Sequence, residues 1–221
     1  MSRVIDIDKW ERKSHYAWFS SFANPMVALD VKMDITDLLD YCNREGLSSY
    51  AMIMYVVCEC INANAAMRLR ILNEKVIEID YANVAYTILV NERCFVNCRA
   101  RTHLGLATYL EDVEANRKRY TNSNYLQEKY NDTTIVEDIY CSCLPWLSFA
   151  SVVQPIPDNN TESKSIPRVC WCKYYTENAR TYTTLNITVN HALVDGIDLS
   201  DVYKDIQWAF DHMDAYLENK R

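Results

Sequence analysis

The sequence predicts a single domain of mixed α/β class, on three observations. Runs rich in β-branched and aromatic residues alternate with stretches of helical periodicity along the chain. The one extended loop candidate, Gln154 to Pro167 with Pro155, Pro157 and Pro167, is too short to divide domains. The 221 residues are 49% hydrophobic, enough to bury a substantial core without disulfides or a metal.

The elements follow in order. Trp10 to Ser20 is helix-compatible behind Asp8, a candidate cap, and Met26 to Met33 alternates as a strand does. Ile35 to Glu45 and Ser48 to Ala63 carry helical spacing. Lys75 to Ile79, Val84 to Val90 and Arg93 to Arg99 form a sheet-rich middle, with Asn91-Glu92 as a hairpin turn. Leu106 to Tyr120 sets Leu106, Leu110 and Val113 near one face and its charges on the other, predicting a helix. Asn122 to Thr134 is polar and reads as loop or short helix. Three further strands are expected at Cys141 to Val153, Arg168 to Tyr175 and Arg180 to Val189, and a closing helix at Asp198 to Leu217.

Composition excludes several functions. With only Gly46, Gly105 and Gly196, the chain can build neither a Walker loop nor a GxGxxG dinucleotide turn, and it has no GxSxG elbow. A formal charge of -7 and a pI near 5.1 argue against a nucleic-acid partner, although a locally basic groove for one phosphorylated small molecule is compatible with them. No window approaches the roughly eighteen uninterrupted apolar residues of a membrane span, and Met1 to Lys13 holds no signal-like apolar segment. A soluble cytoplasmic protein without a membrane partner is therefore expected. Nine cysteines include pairs at i, i+2 spacing: Cys58 with Cys60, Cys141 with Cys143, and Cys170 with Cys172. That spacing is not the CxxC of zinc sites, so no metal is expected. On strands the latter two pairs read as small apolar wall residues in a reducing compartment.

One stretch points to chemistry. The β-patterned run Tyr182 to Val189 leads into Asn190-His191-Ala192-Leu193-Val194-Asp195-Gly196, which places a histidine at a strand-to-helix junction four residues before an Asp-Gly turn. An imidazole held there can take a proton from a hydroxyl or an amine. The residues alone leave a second reading open, a packed core histidine ahead of an ordinary turn.

His191-Ala192-Leu193-Val194-Asp195-Gly196 resembles the His-x-x-x-Asp-Gly signature of the chloramphenicol acetyltransferase family, a branch of the CoA-dependent acyltransferases. The signature is shared with lipoamide acyltransferases and peptide-synthetase condensation domains, but other segments match in order. Trp10-Glu11-Arg12-Lys13-Ser14-His15 looks like the family's W-x-R-K/R-x-H, and Asp34-Ile35-Thr36 like its D-I-T helix start. Met67-Arg68-Leu69-Arg70-Ile71 is similar to its L/F-R-M-A stretch, Ser142-Cys143-Leu144-Pro145-Trp146 to S-x-x-P-W, and Lys173-Tyr174 to the K-Y before the last strand. The resemblance spans nearly the whole chain. It implies a large mixed sheet flanked by helices, assembled as a homotrimer with interfacial active sites and using acetyl-CoA as co-substrate.

Roles follow from the same resemblance. His191 is the general base and Ser142 the donor to the tetrahedral oxyanion, while Asp195 and Arg12 form a buried ion pair that fixes the histidine loop. Lys173 is a candidate contact for a CoA phosphate. Some positions depart from the family pattern. Asn190 replaces a second histidine, and Ile197-Asp198 stands where Phe-His is common. Cys170 replaces a threonine that supports a transition-state water. Trp18-Phe19 replaces a Phe-Tyr pair, and Tyr140 replaces an asparagine. The last three changes touch the acceptor side, so acetyl-CoA chemistry is expected to outlast chloramphenicol recognition. Three functions stay open at this point: a chloramphenicol-type O-acetyltransferase, a CoA-dependent acyltransferase for another hydroxyl or amine, and a catalytically decayed trimer that only binds.

Overall fold

The computed structural model describes residues 2–90, 94–120, 136–156 and 160–220. In chain order the first elements are β1 (Arg3–Val4), α1 (Lys13–Ser20), β2 (Met26–Asp34), α2 (Thr36–Glu45) and α3 (Ser49–Ala63). Then come β3 (Leu69–Leu72), β4 (Lys75–Glu78), β5 (Asn83–Leu89), β6 (Phe95–Ala100) and α4 (Leu106–Tyr120). The last are β7 (Asp138–Leu144), α5 (Thr161–Lys164), β8 (Arg168–Cys172), β9 (Tyr175–Glu177), β10 (Arg180–Asn190), α6 (Gly196–Asp211) and α7 (Met213–Glu218).

A seven-stranded sheet runs in the order β2-β10-β8-β7-β5-β6, with β9 paired to the free stretch of β10. The β7–β8 and β5–β7 pairs are parallel and the others antiparallel, giving the large mixed sheet that the sequence implies. β1, β4 and β3 form a separate small sheet. Helix α3 is apolar all round because it is the central helix, buried from Ala51 to Asn62 and packed against α2, α4 and α6. Ser48 caps it by accepting from the Ala51 amide, and Gly46, at φ +67°, closes α2 in the left-handed conformation that favours glycine. Trp171, Tyr86, Tyr109 and Phe210 are the bulkiest aromatic side chains of this core.

Two features place the site. Arg70, fully buried, donates to the carbonyls of Val136, Met67, Leu69 and Asp138 at 2.7 to 3.3 Å, tying the small sheet to the start of β7. And β5 and β7 part company. Their pairing ends at Tyr86 with Cys141, yet β5 continues to Leu89 and β7 to Leu144, which leaves an opening in the sheet.

Several boundaries differ from the sequence reading. Helix α1 starts at Lys13 instead of Trp10, because Trp10 has extended backbone and Asp8 caps nothing there, its carboxylate being paired with Lys13 at 2.6 Å. The strand expected over Cys141 to Val153 begins earlier, at Asp138, whose buried carboxylate is held by Arg99. It ends before Pro145, which has no amide to continue the ladder. Arg168 to Tyr175 splits because the Lys173 amide donates to the Leu147 carbonyl at 3.1 Å. The closing helix breaks at His212, with φ −135°. β3 and α5 were not foreseen. Asn91-Glu92 and all of Asn122 to Thr134 fall outside the described residues.

Two hairpin turns of this glycine-poor chain carry positive φ on other residues: Asn73 and Glu74 between β3 and β4, and Asn178 and Ala179 between β9 and β10. A two-residue turn of this hand favours Asn-Gly, and an L side chain in the left-handed region costs about 1 kcal/mol. Ala179→Gly is expected to raise the melting temperature by a few degrees, roughly as 1 kcal/mol does in a domain of this size. An unchanged or lowered value by calorimetry contradicts this.

Candidate active site

The turn after β10 is built by hydrogen bonds before any catalytic group is considered. The His191 amide donates to the Pro25 carbonyl at 2.8 Å, and the amides of Leu193 and Val194 both donate to the Asn190 carbonyl at 3.0 Å. Asn190 Oδ1 accepts from the Ala192 amide at 2.9 Å. The asparagine that departs from the family pattern thus ties down the turn that presents the histidine.

His191 Nδ1 lies 3.1 Å from the Val194 carbonyl oxygen. A carbonyl can only accept, so Nδ1 carries the hydrogen and Nε2 keeps its lone pair. The Phe19 ring stacks on the imidazole with centroids 4.0 Å apart and planes at 19°. The ring is therefore fixed in orientation and in tautomer.

Arg12 reaches this turn from 179 residues away, donating from Nη2 to the His191 carbonyl at 3.1 Å and from Nη1 to Asp195 Oδ2 at 2.7 Å. Asp195 also caps α6: its Oδ1 accepts from the Gly196 amide at 3.0 Å, while Asp198 Oδ2 accepts from the Asp195 amide at 3.0 Å. Between His191 Nδ1 and Asp195 Oδ1 the distance is 3.8 Å, too long for a hydrogen bond, so Asp195 braces the loop and does not orient the ring directly. The expectation of a buried pair needs correction, since the Arg12 and Asp195 side chains are 20% and 37% exposed.

The hydrogen bond from Arg12 holds the Asp195 carboxyl below the usual carboxylate range, against the opposing pull of partial burial. Its stabilisation is therefore present at neutral pH and lost as pH falls through that lowered value. Arg12→Met is expected to remove this acid-side dependence and to cost about 1 kcal/mol or less, because water screens the pair. Turnover should fall further, by about tenfold to a hundredfold, because the turn that carries His191 loses its anchor. Parallel melting and turnover assays check this split.

A second cluster lies on β7 and β8. Ser142 is registered beside Cys170, whose thiol is buried and pushed up to about 12 by desolvation, making it a neutral wall. Tyr140, two residues back on the same face, is raised to about 12 for the same reason. Where β5 and β7 part, a pocket of about 860 Å³ opens, lined by Ser142, Tyr50, Tyr86, Trp146, Lys173 and Tyr174 among others. Lys173 is exposed at this pocket.

These two clusters do not meet within one chain. Ser142, Cys170 and Asn186 lie in one row across three strands, and His191 is five residues further along β10. Strand rise and spacing put Ser142 and His191 roughly 20 Å apart. Phe19 joins the histidine cluster directly, whereas Trp18 is 60% exposed and packs on Phe19 and Phe22. The sequence reading passed over the bracing roles of Asn190 and Asp198 and the buried Arg168. Only the Asp195-x-x-Asp198 spacing, a capping-box pattern, carried a readable signal.

Residues 2–207 match the family model for chloramphenicol acetyltransferase. The chloramphenicol acetyltransferase of Proteus mirabilis is 26% identical over 206 residues, spanning 92% of each chain. That of Staphylococcus intermedius is 23% identical over 219 residues, or 97% of this chain and 98% of its own. Among solved structures, a chloramphenicol acetyltransferase matches with a TM-score of 0.81 at 21% identity, covering 94% of this chain and 98% of that one. The dihydrolipoamide acetyltransferase of Azotobacter vinelandii matches at 0.62 and 13% identity, covering 92% and 88%. A sheet shared with both enzymes, a histidine turn built as above and a family match over nearly the whole length agree: the chain belongs to the chloramphenicol acetyltransferase family of CoA-dependent acetyltransferases.

Proposed function

We propose that the protein transfers the acetyl group of acetyl-CoA directly to an acceptor hydroxyl, at sites formed between the subunits of a homotrimer. The observation that carries the reading is the Nδ1 contact of His191 with the Val194 carbonyl, which leaves a basic Nε2. Nε2 takes the acceptor's hydroxyl proton as its oxygen attacks the thioester carbonyl. Ser142 Oγ donates to the resulting oxyanion. Collapse breaks the carbon–sulfur bond, and the imidazolium returns its proton to the CoA thiolate, so no acyl-enzyme is needed.

The interfacial arrangement is supported by the separation of the two clusters and by exposed apolar groups near the histidine turn. Trp18, Phe22 and Ile197 are 60%, 42% and 72% exposed, and a second copy would cover them. The pocket between β5 and β7 suits the acyl donor: its apolar walls match a pantetheine arm, and Lys173 offers a cation for a phosphate. On the acceptor side we place Trp18, Phe19, Tyr140 and Cys170, with chloramphenicol as the first acceptor to try because the relatives carry its name. We assign the protein to the cytoplasm, where its nine cysteines stay reduced. No helix among the described residues is long and apolar enough to cross a membrane.

The test is CoA-thiol release from acetyl-CoA with and without chloramphenicol. Drug-dependent release supports the reading with this acceptor. Acetyl-CoA binding without drug-dependent release moves the acceptor to another hydroxyl or amine, and failure to bind acetyl-CoA overturns the reading.

A further inference from the structure

The sheet face that carries Ser142 holds a buried charge with no carboxylate among the described residues to answer it. Arg168 is 4% exposed, and its guanidinium lies 5.4 Å from the centre of the Tyr140 ring, its register neighbour. Nη1 donates to the carbonyls of Ser163 and Ile166 at 2.9 and 3.0 Å, and Nη2 to Ser163 Oγ at 2.9 Å. A guanidinium has five N–H donors. Nε and one Nη2 hydrogen therefore lack a protein acceptor among the described residues, and these are the two donors a carboxylate engages side-on. Burying a cation without a counter-charge is costly, and natural sites compensate it.

The described residues around it do not supply that compensation. Asp138, on the same face, accepts both Nε and Nη2 of Arg99, at 3.0 and 2.6 Å, and Arg70 is committed to backbone carbonyls. Glu162 of α5 is engaged by the Asn73 amide at 3.0 Å, and Glu137 is exposed. By strand spacing and rise, Arg168 lies roughly 8 Å from Ser142, one residue pair along the face. That is the span of a small bifunctional acceptor.

We propose that Arg168, backed by the Tyr140 ring, is a specificity-determining residue of the acceptor site, and that the preferred acceptor is a small alcohol bearing a carboxylate. Its hydroxyl meets His191 and Ser142 while its carboxylate takes the open edge of Arg168. The carboxylate is a spectator: only the hydroxyl is acetylated, and CoA thiol leaves. This inference rests on the acetyl-transfer reading above.

The test compares two probes of one shape, meta-hydroxymethylbenzoate and meta-hydroxymethylbenzamide, as acceptors for the native protein with acetyl-CoA. The expected kcat/KM for the acid exceeds that for the amide by at least about tenfold, because a buried donor pair rejects the partner that cannot satisfy it. Arg168→Gln is expected to bring the ratio close to one, mainly through KM, and Arg168→Lys to restore part of it. The native comparison stands without any variant, so a misfolded Arg168→Gln does not decide the matter. A native ratio of one or below, or acetylation of neither probe by protein that binds acetyl-CoA, overturns the assignment. Failure to bind acetyl-CoA overturns the acetyl-transfer reading instead.

Discussion

His191→Ala is expected to lower acetyl transfer by about three orders of magnitude, within the range usually supplied by a positioned general base. The loss should be large because the wild-type ring is locked in several ways. The Val194 carbonyl fixes its tautomer, Phe19 its plane, and Arg12 the carbonyl of its own residue. Little of its catalytic power is left to chance orientation, so little can be recovered by a water in its place. Acetyl-CoA affinity should stay close to native, since the proposed donor pocket lies with Ser142 on β7 and Lys173 just after β8. Thiol release at saturating substrates, paired with calorimetry of acetyl-CoA binding, reads both quantities. A fall of less than tenfold would mean that another group takes the proton.

Ser142→Ala is expected to cost about a hundredfold in kcat with little change in the KM for acetyl-CoA, since an oxyanion donor acts only as charge develops. The more telling experiment combines the two variants. If each site takes its histidine from one subunit and its serine from the next, trimers co-assembled from His191→Ala and Ser142→Ala chains contain some fully intact sites. Random mixing at equal expression makes about one site in four intact, so about a quarter of native activity should return from two nearly dead proteins. Purified homotrimers mixed without exchange should stay inactive. Co-assembled trimers with no recovered activity would show that base and donor come from the same chain, against the roughly 20 Å that the strand geometry sets between them.

How much of this was legible without coordinates depended on whether the cause was local. Helices α2 and α3 were legible from the helical spacing of Ile35 to Glu45 and Ser48 to Ala63, a pattern carried within each segment. The bounds of β7 were misread because Cys141 to Val153 looks continuous in sequence, while the actual start depends on Arg99 reaching Asp138 across 39 residues. For the site, a short signature resembling a known family exposed His191 and Asp195. Their dependence on Arg12 has no local trace. Arg168 went unnoticed for a related reason: an arginine at the start of a strand reads as surface charge until the strand is seen to be buried.

The parting of β5 from β7 turns the sheet into a septum with an aperture, and Ser142 stands at its rim. Under the proposed mechanism, thioester and alcohol approach this rim from different compartments and share little besides the point of reaction. Residues on the Arg168 and Tyr140 side can then drift without disturbing the thioester side. Under the proposed acceptor-side placement, Trp18, Phe19, Tyr140 and Cys170 are the positions where such drift is expected.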